Sequence, residues 1–381
     1  MTLARPSTHP LLVWLAPLAW LGLATAARPA AAHDEASGVE SSPTVTRGAG
    51  PEPDAPPSRW RGSILLFDQS MTTQTIGVGG DYQSYDPTYE WWVAFKPKYT
   101  PFERENDSIS LTLWMNLYLE LTNSDTTTEY HELLLGPTYL WATYGRTLRD
   151  VRGYKTASTF GPRIALPTDK AAYDISELFE LGAIGSVSQT FPLRGEDART
   201  LRGARLAVGA IYGHPFDRYT APINTDLHQL RDTVADIPII DDQIAGEMNV
   251  KNALSLSLAG ELQVLRRLNL SLSYVLVNQW RYPTTSTQVS SPATGPADPI
   301  SIPDSTTYTV KTWLTSTVTY DLTDELAVSV GYYNLANQLA PDGTRRSPLW
   351  SPSARFFLTL TSNLDAVARR VSKKLRDASG G

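Results

Sequence analysis

Cysteine is absent from the 381 residues. No disulfide braces the fold, and thiolate metal sites and cysteine nucleophiles are excluded. Histidine is nearly as scarce, with five in all, and His9 lies in a segment expected to be removed. No P-loop, H-E-x-x-H, G-x-S-x-G or dinucleotide fingerprint occurs, so neither a catalytic signature nor a cofactor is expected. No basic stripe runs among the aromatics, which removes the usual footprint of nucleic-acid binding. Beyond residue 32 no apolar run is long enough for a spanning helix of ~20 residues. That last absence is weaker than it looks, because strands that cross a bilayer hide their hydrophobicity in alternation.

What is present begins with a leader. Arg5 and His9 precede an apolar run from Leu11 to Ala27, and Ala30-Ala31-Ala32 offers a small-residue cleavage site. These are the three parts of a secretory signal peptide, predicted over 1–32. Its removal takes away Arg5 and Arg28 and no acid, leaving 31 basic and 39 acidic residues, a net charge of −8. Residues 33–60 are rich in Pro, Ser, Ala and Glu and read as a disordered periplasmic linker.

From Val250 to Tyr282 the chain reads as one long β-hairpin. Leu254, Leu256 and Leu258 alternate with Ser255 and Ser257, and Leu270, Leu272 and Leu276 with Ser271, Ser273 and Gln279. Side chains on a strand alternate faces, so each arm has an oily side and a wet side. The arms exceed the ~5–6 residues of an ordinary strand and cover the ~9–11 tilted residues that cross a bilayer. Residues 109–121 repeat the pattern, with Ile109, Leu111, Leu113, Met115 and Leu117 against Ser110, Thr112, Trp114 and Asn116. Twelve such strands are predicted at about 62–78, 88–99, 108–122, 130–145, 154–166, 177–191, 203–213, 249–264, 268–282, 306–321, 325–337 and 353–364. The fold class is therefore all-β, a transmembrane antiparallel up-and-down barrel over residues 61–364.

The links set its orientation. Leu265–Arg267 and Asp321–Asp324 are tight, whereas His214–Glu247, Pro283–Ser305 and Gln338–Pro352 are long. Short periplasmic turns and long extracellular loops have this asymmetry, and an even strand count returns both ends to the periplasm. Tyr308 and Tyr320, twelve residues apart on one face, would stand ~30 Å apart along the membrane normal, which suits two aromatic girdles. Residues 365–381 form a basic periplasmic tail, with Val367, Val371 and Leu375 at helical spacing among arginines and lysines.

The inward positions carry charge. Glu90, Lys96, Glu120, Lys251, Glu261, Lys311 and Arg355 fall on the wet face, beside Trp92, Trp114, Trp313 and Phe357. An Arg or Lys facing hydrocarbon at the midplane costs ~2–4 kcal/mol, so these groups belong in a lumen. They either line a narrow conduit or pair across the bore and plug it. Asp232, Asp236, Asp241 and Asp242 sit in the long acidic loop, which folded inward would constrict the pore and favour cations. No metal site is expected from them.

The leader, the alternating strands and the link asymmetry together resemble the Gram-negative outer-membrane β-barrels. That resemblance implies an outer-membrane location, lipid and lipopolysaccharide contacts, and assembly by the barrel-insertion machinery. Many of these barrels end on an aromatic residue, whereas here Phe356, Phe357 and Leu358 are followed by the tail from Asp365. The expected function is a passive channel or uptake pore for small solutes. The alternatives are a non-conducting barrel that anchors an envelope complex, and a rim lipid hydrolase depending on His131.

Overall fold

The computed structural model describes residues 58–77, 87–122, 131–149, 154–193, 200–221, 248–283, 307–338, 345–351 and 354–379, with the short pairs 233–234 and 237–238. The predicted leader, residues 33–57 of the linker and Asp232, Asp236, Asp241 and Asp242 lie outside the described residues.

Alternation produces twelve strands. They are β1 (Ile64–Thr72), β2 (Tyr89–Lys96, resuming as Lys98–Glu103 beyond Pro97), β3 (Asp107–Glu120) and β4 (Leu133–Leu135, resuming as Thr138–Arg149). Next come β5 (Lys155–Leu166), β6 (Glu177–Pro192), β7 (Gly203–Asp217) and β8 (Val250–Leu265). The last four are β9 (Leu268–Arg281), β10 (Tyr308–Asp321), β11 (Leu326–Asn337) and β12 (Arg355–Asn363). Each pairs antiparallel with its neighbour in sequence, and β12 pairs back with β1, Ile64 facing Asn363 and Thr72 facing Arg355. The sheet is closed, so no row of backbone N–H and C=O groups is left at an edge.

The two faces differ as the sequence requires. On β8 Ser255 and Ser257 are buried while Leu256 and Leu258 are exposed. On β1 Leu66, Asp68, Ser70 and Thr72 point inward and Leu65 outward. Exposed leucines recur around the wall, among them Leu111, Leu181, Leu206 and Leu272. Each large apolar side chain left in water forgoes ~1.5–3 kcal/mol. A belt of them on every side is therefore stable only in hydrocarbon. Among the described residues no helix is long and apolar enough to cross a membrane. Aromatic rings mark one border of the belt: Trp280 meets Tyr308 at 5.1 Å and Tyr332 meets Phe356 at 5.5 Å near the end that carries the long links.

Four local features depart from the alternation. β1 stops at Thr72, six residues before its predicted end, because Thr73–Ile76 coils into a 3-10 turn closed by Gly77 at φ 80°. β7 runs on through His214–Asp217, which the sequence assigned to the loop, since Phe216 stacks on Phe179 of β6 at 4.7 Å. A bulge between Val250 and Asn252 turns Val250 inward, 2% exposed against Val275 and Val277, although its even number placed it on the oily face. Between β5 and β6 a short helix, α1 (Lys170–Asp174), begins on the Asp169 cap.

After β12 the chain forms a second helix, α2 (Leu364–Ser379). Asn363 Oδ1 accepts from the Ala366 amide at 3.3 Å, and Arg370 pairs with Glu325 of the β10–β11 turn at 3.1 Å. The Thr323 hydroxyl first, and then Arg370, hold the Glu325 carboxyl below its ordinary range.

Gly331 is among several glycines required by contact. A Cβ on Gly331 would stand 2.2 Å from Phe357 Cζ and 2.5 Å from the Ser316 carbonyl oxygen. Gly331→Ala is expected to cost ~1–3 kcal/mol through overpacking. Urea unfolding of the protein in lipid vesicles measures this, and an unchanged midpoint would contradict the close approach.

Candidate functional site in the barrel interior

A twelve-strand wall at ~4.8 Å spacing and ~40° tilt has a backbone radius of ~12 Å. Only side chains reaching in from the wall can fill that bore. They do so unevenly along the axis.

In the half of the barrel nearer the long links the filling is charged and aromatic. Arg355 of β12 pairs with Glu90 of β2 at 2.6 Å, and Ser70 of β1 lies 3.4 Å from the guanidinium and donates to Glu90 at 3.3 Å. Thr359 donates to Asp68 in the same wall. Tyr333 of β11 stands opposite Arg355, its ring 5.8 Å from Trp313 and 6.1 Å from Phe357. This group joins β10, β11 and β12 to β1 and β2 across the seam where the barrel closes.

A second pair sits on the neighbouring wall. Arg163 of β5 bonds Glu180 of β6 at 2.7 Å, with side chains only 6% and 4% exposed. The guanidinium also lies 4.2 Å over the Tyr139 ring of β4. Gly213 of β7 makes room for this pair: a Cβ there would stand 2.6–2.7 Å from the Glu180 carboxylate. Between the two pairs, Lys96 places its ammonium 5.0 Å from the Trp114 ring and 5.4 Å from Trp141. Trp92 stacks on Tyr118 at 6.1 Å and donates its indole N–H to Asn116 at 3.1 Å.

Toward the end with the short links the filling thins on the β6–β10 side, while Leu66, Thr319, Asp321, Ala327, Ser329 and Thr361 on β1 and β10 to β12 stay buried. Arg205 of β7 faces Glu261 of β8 at 3.5 Å and Ser188 of β6 at 3.4 Å, and both charged side chains are about a quarter exposed. Around them the inward residues Ala207, Gly209, Ser271, Thr315 and Thr317 are small or hydroxylic and only half-buried. The interior is thus a packed half at the long-link end and, along the β6–β10 side of the other end, a hydroxyl-lined vestibule of half-buried residues.

The sequence-derived candidates divide among these places. Glu90 and Arg355 meet directly. Glu120 lies opposite Glu90 on β3 and accepts from Thr122. Lys96 sits between tryptophans, and Glu261 joins the lower pair. Lys311 is inward and half-buried, opposite Val277 and Asn337. Lys251 stands apart, exposed at the β8 bulge with its ammonium 5.9 Å from the Tyr282 ring. Asp68, Arg163, Glu180 and Arg205 were not singled out from sequence. Asp68 follows Ile64–Phe67, apolar on both faces, and Arg163 follows Gly161-Pro162, so the alternation that would have flagged them is blurred. His131 is exposed at the extracellular rim with φ 56°, and among the described residues no hydrogen bond joins it to a serine. No cluster of potential metal ligands occurs among the described residues.

A closed antiparallel barrel with leucines outward and charges inward is the architecture of the Gram-negative outer-membrane β-barrels. No family model matches the sequence, and no curated protein does. Solved structures of similar shape include an outer-membrane channel from Pseudomonas putida F1 (TM-score 0.46, 9% identity, covering 83% of this chain and 99% of that one). Outer membrane phospholipase A from Escherichia coli aligns at TM-score 0.33 and 10% identity, covering 79% of this chain and 92% of its own. OccD3 from Pseudomonas aeruginosa aligns at TM-score 0.31 and 9% identity, covering 79% and 90%.

Proposed function

We propose that the chain is exported by its leader to the outer membrane and serves there as a narrow passive conduit for small polar solutes. The observation that carries this reading is the gradation of the lumen. A hydroxyl-lined vestibule leads from the periplasm to a layer held together by Glu90–Arg355 and Arg163–Glu180. Ion pairs between side chains, unlike a continuous apolar core, open by rotamer change without breaking the wall. The resting pore is therefore small, and its bore is set by side chains rather than by the backbone ring.

Planar-bilayer recording of the purified full chain tests this. Wild-type protein is expected to give small resolved steps. The double variant Glu90→Ala/Arg355→Ala, which empties one side of the layer, is expected to give steps several-fold larger. Silence from both proteins, with folding verified by heat-modifiable mobility, would remove the conduit. The burial of Glu90, Arg355, Arg163 and Glu180 favours a second reading in that event, a filled barrel anchoring an envelope complex through its periplasmic ends.

A further inference from the structure

α2 has its protein contacts on one side and its apolar residues on the other. Asp365 and Ala366 are 5% and 9% exposed against the barrel, and Arg370 reaches Glu325 on the rim. At 100° per residue Leu364, Val367, Val371 and Leu375 share a stripe about 80° wide on the opposite side. Val371 is 50% exposed and Leu375 65%. Arg369 pairs with Asp365 at 3.0 Å and Arg370 with Glu325, while Lys373 and Lys374 lie behind and beside the stripe and are exposed.

We propose that α2 lies in the headgroup–acyl boundary of the periplasmic leaflet, with the stripe in lipid and Lys373 and Lys374 on anionic phospholipid. Position supports this occupant. The outward residues Phe356, Leu358 and Leu360 of β12 belong to the lipid belt, and the helix starts at the next residue after that strand. Its first turn therefore leaves the barrel at the membrane border. A helix with an apolar stripe and a basic polar face binds such a surface by burying the one and neutralising the other. A polar glycan polymer would satisfy the charges and leave the stripe in water. The inference rests on the membrane barrel and is independent of whether the lumen conducts.

The absence of native cysteine allows a clean test. Val371→Cys, Leu375→Cys, Ser372→Cys and Lys373→Cys are made singly in the full chain, spin-labelled and folded into vesicles of phosphatidylethanolamine and phosphatidylglycerol. Labels at 371 and 375 are expected to collide several-fold more with oxygen than with a water-soluble nickel chelate, and labels at 372 and 373 the reverse. Nickel access at all four positions would overturn the proposal in favour of a solvated helix. Shielding of 371 and 375 from both reagents would overturn it in favour of a protein partner. Replacing phosphatidylglycerol by phosphatidylcholine is expected to weaken the contrast, and an undiminished contrast would refute the role of anionic headgroups.

Discussion

Leu272→Arg should destabilise the barrel by ~2–4 kcal/mol, while Ser271→Arg is tolerated. Leu272 is 55% exposed on the outward face of β9, opposite Gly260 of β8 and Ser316 of β10. A guanidinium there enters hydrocarbon and must snorkel several residues to reach water. Ser271 is one residue away but half-buried in the vestibule, opposite Glu261 and Thr317. An arginine there meets a carboxylate and a hydroxyl instead of lipid. Reversible folding of both variants into lipid vesicles, followed in urea, measures the difference. If Ser271→Arg were the more damaging, the assignment of faces would be inverted and the lumen with it.

Glu180→Gln should cost more, ~3–5 kcal/mol, because it leaves Arg163 charged and buried without its carboxylate. Surface ion pairs are worth ~0–1 kcal/mol, and the choice between these magnitudes follows from the burial of both side chains. The pair variant Arg163→Met/Glu180→Gln should recover much of the loss, since no uncompensated charge remains. A double-mutant cycle in the same vesicle assay reads the coupling. Single and double variants that all matched wild type would mean that water reaches the pair, and the packed extracellular layer would have to be abandoned. Substituting a larger residue at Gly213 offers an independent check, because any Cβ there must displace the Glu180 carboxylate.

The sequence by itself determined the barrel, the strand number and the two faces. Those properties are local: a period of two over a dozen residues specifies a strand with one oily side, and link length specifies which end of the wall it turns at. Leu254, Leu256 and Leu258 against Ser255 and Ser257 needed no partner to be read. Local exceptions already escaped that logic. The Lys251 bulge turned Val250 inward, and the Phe179–Phe216 contact extended β7 beyond a proline that reads as a stop. The composition of the interior was decided by tertiary structure alone. Ser70 and Arg355 are 285 residues apart in the chain and meet only because β12 closes on β1. Alternation indicates that a side chain points inward, but which inward side chains share a level depends on strand tilt and stagger around the whole ring. Those are properties of closure, and no segment of the sequence carries them.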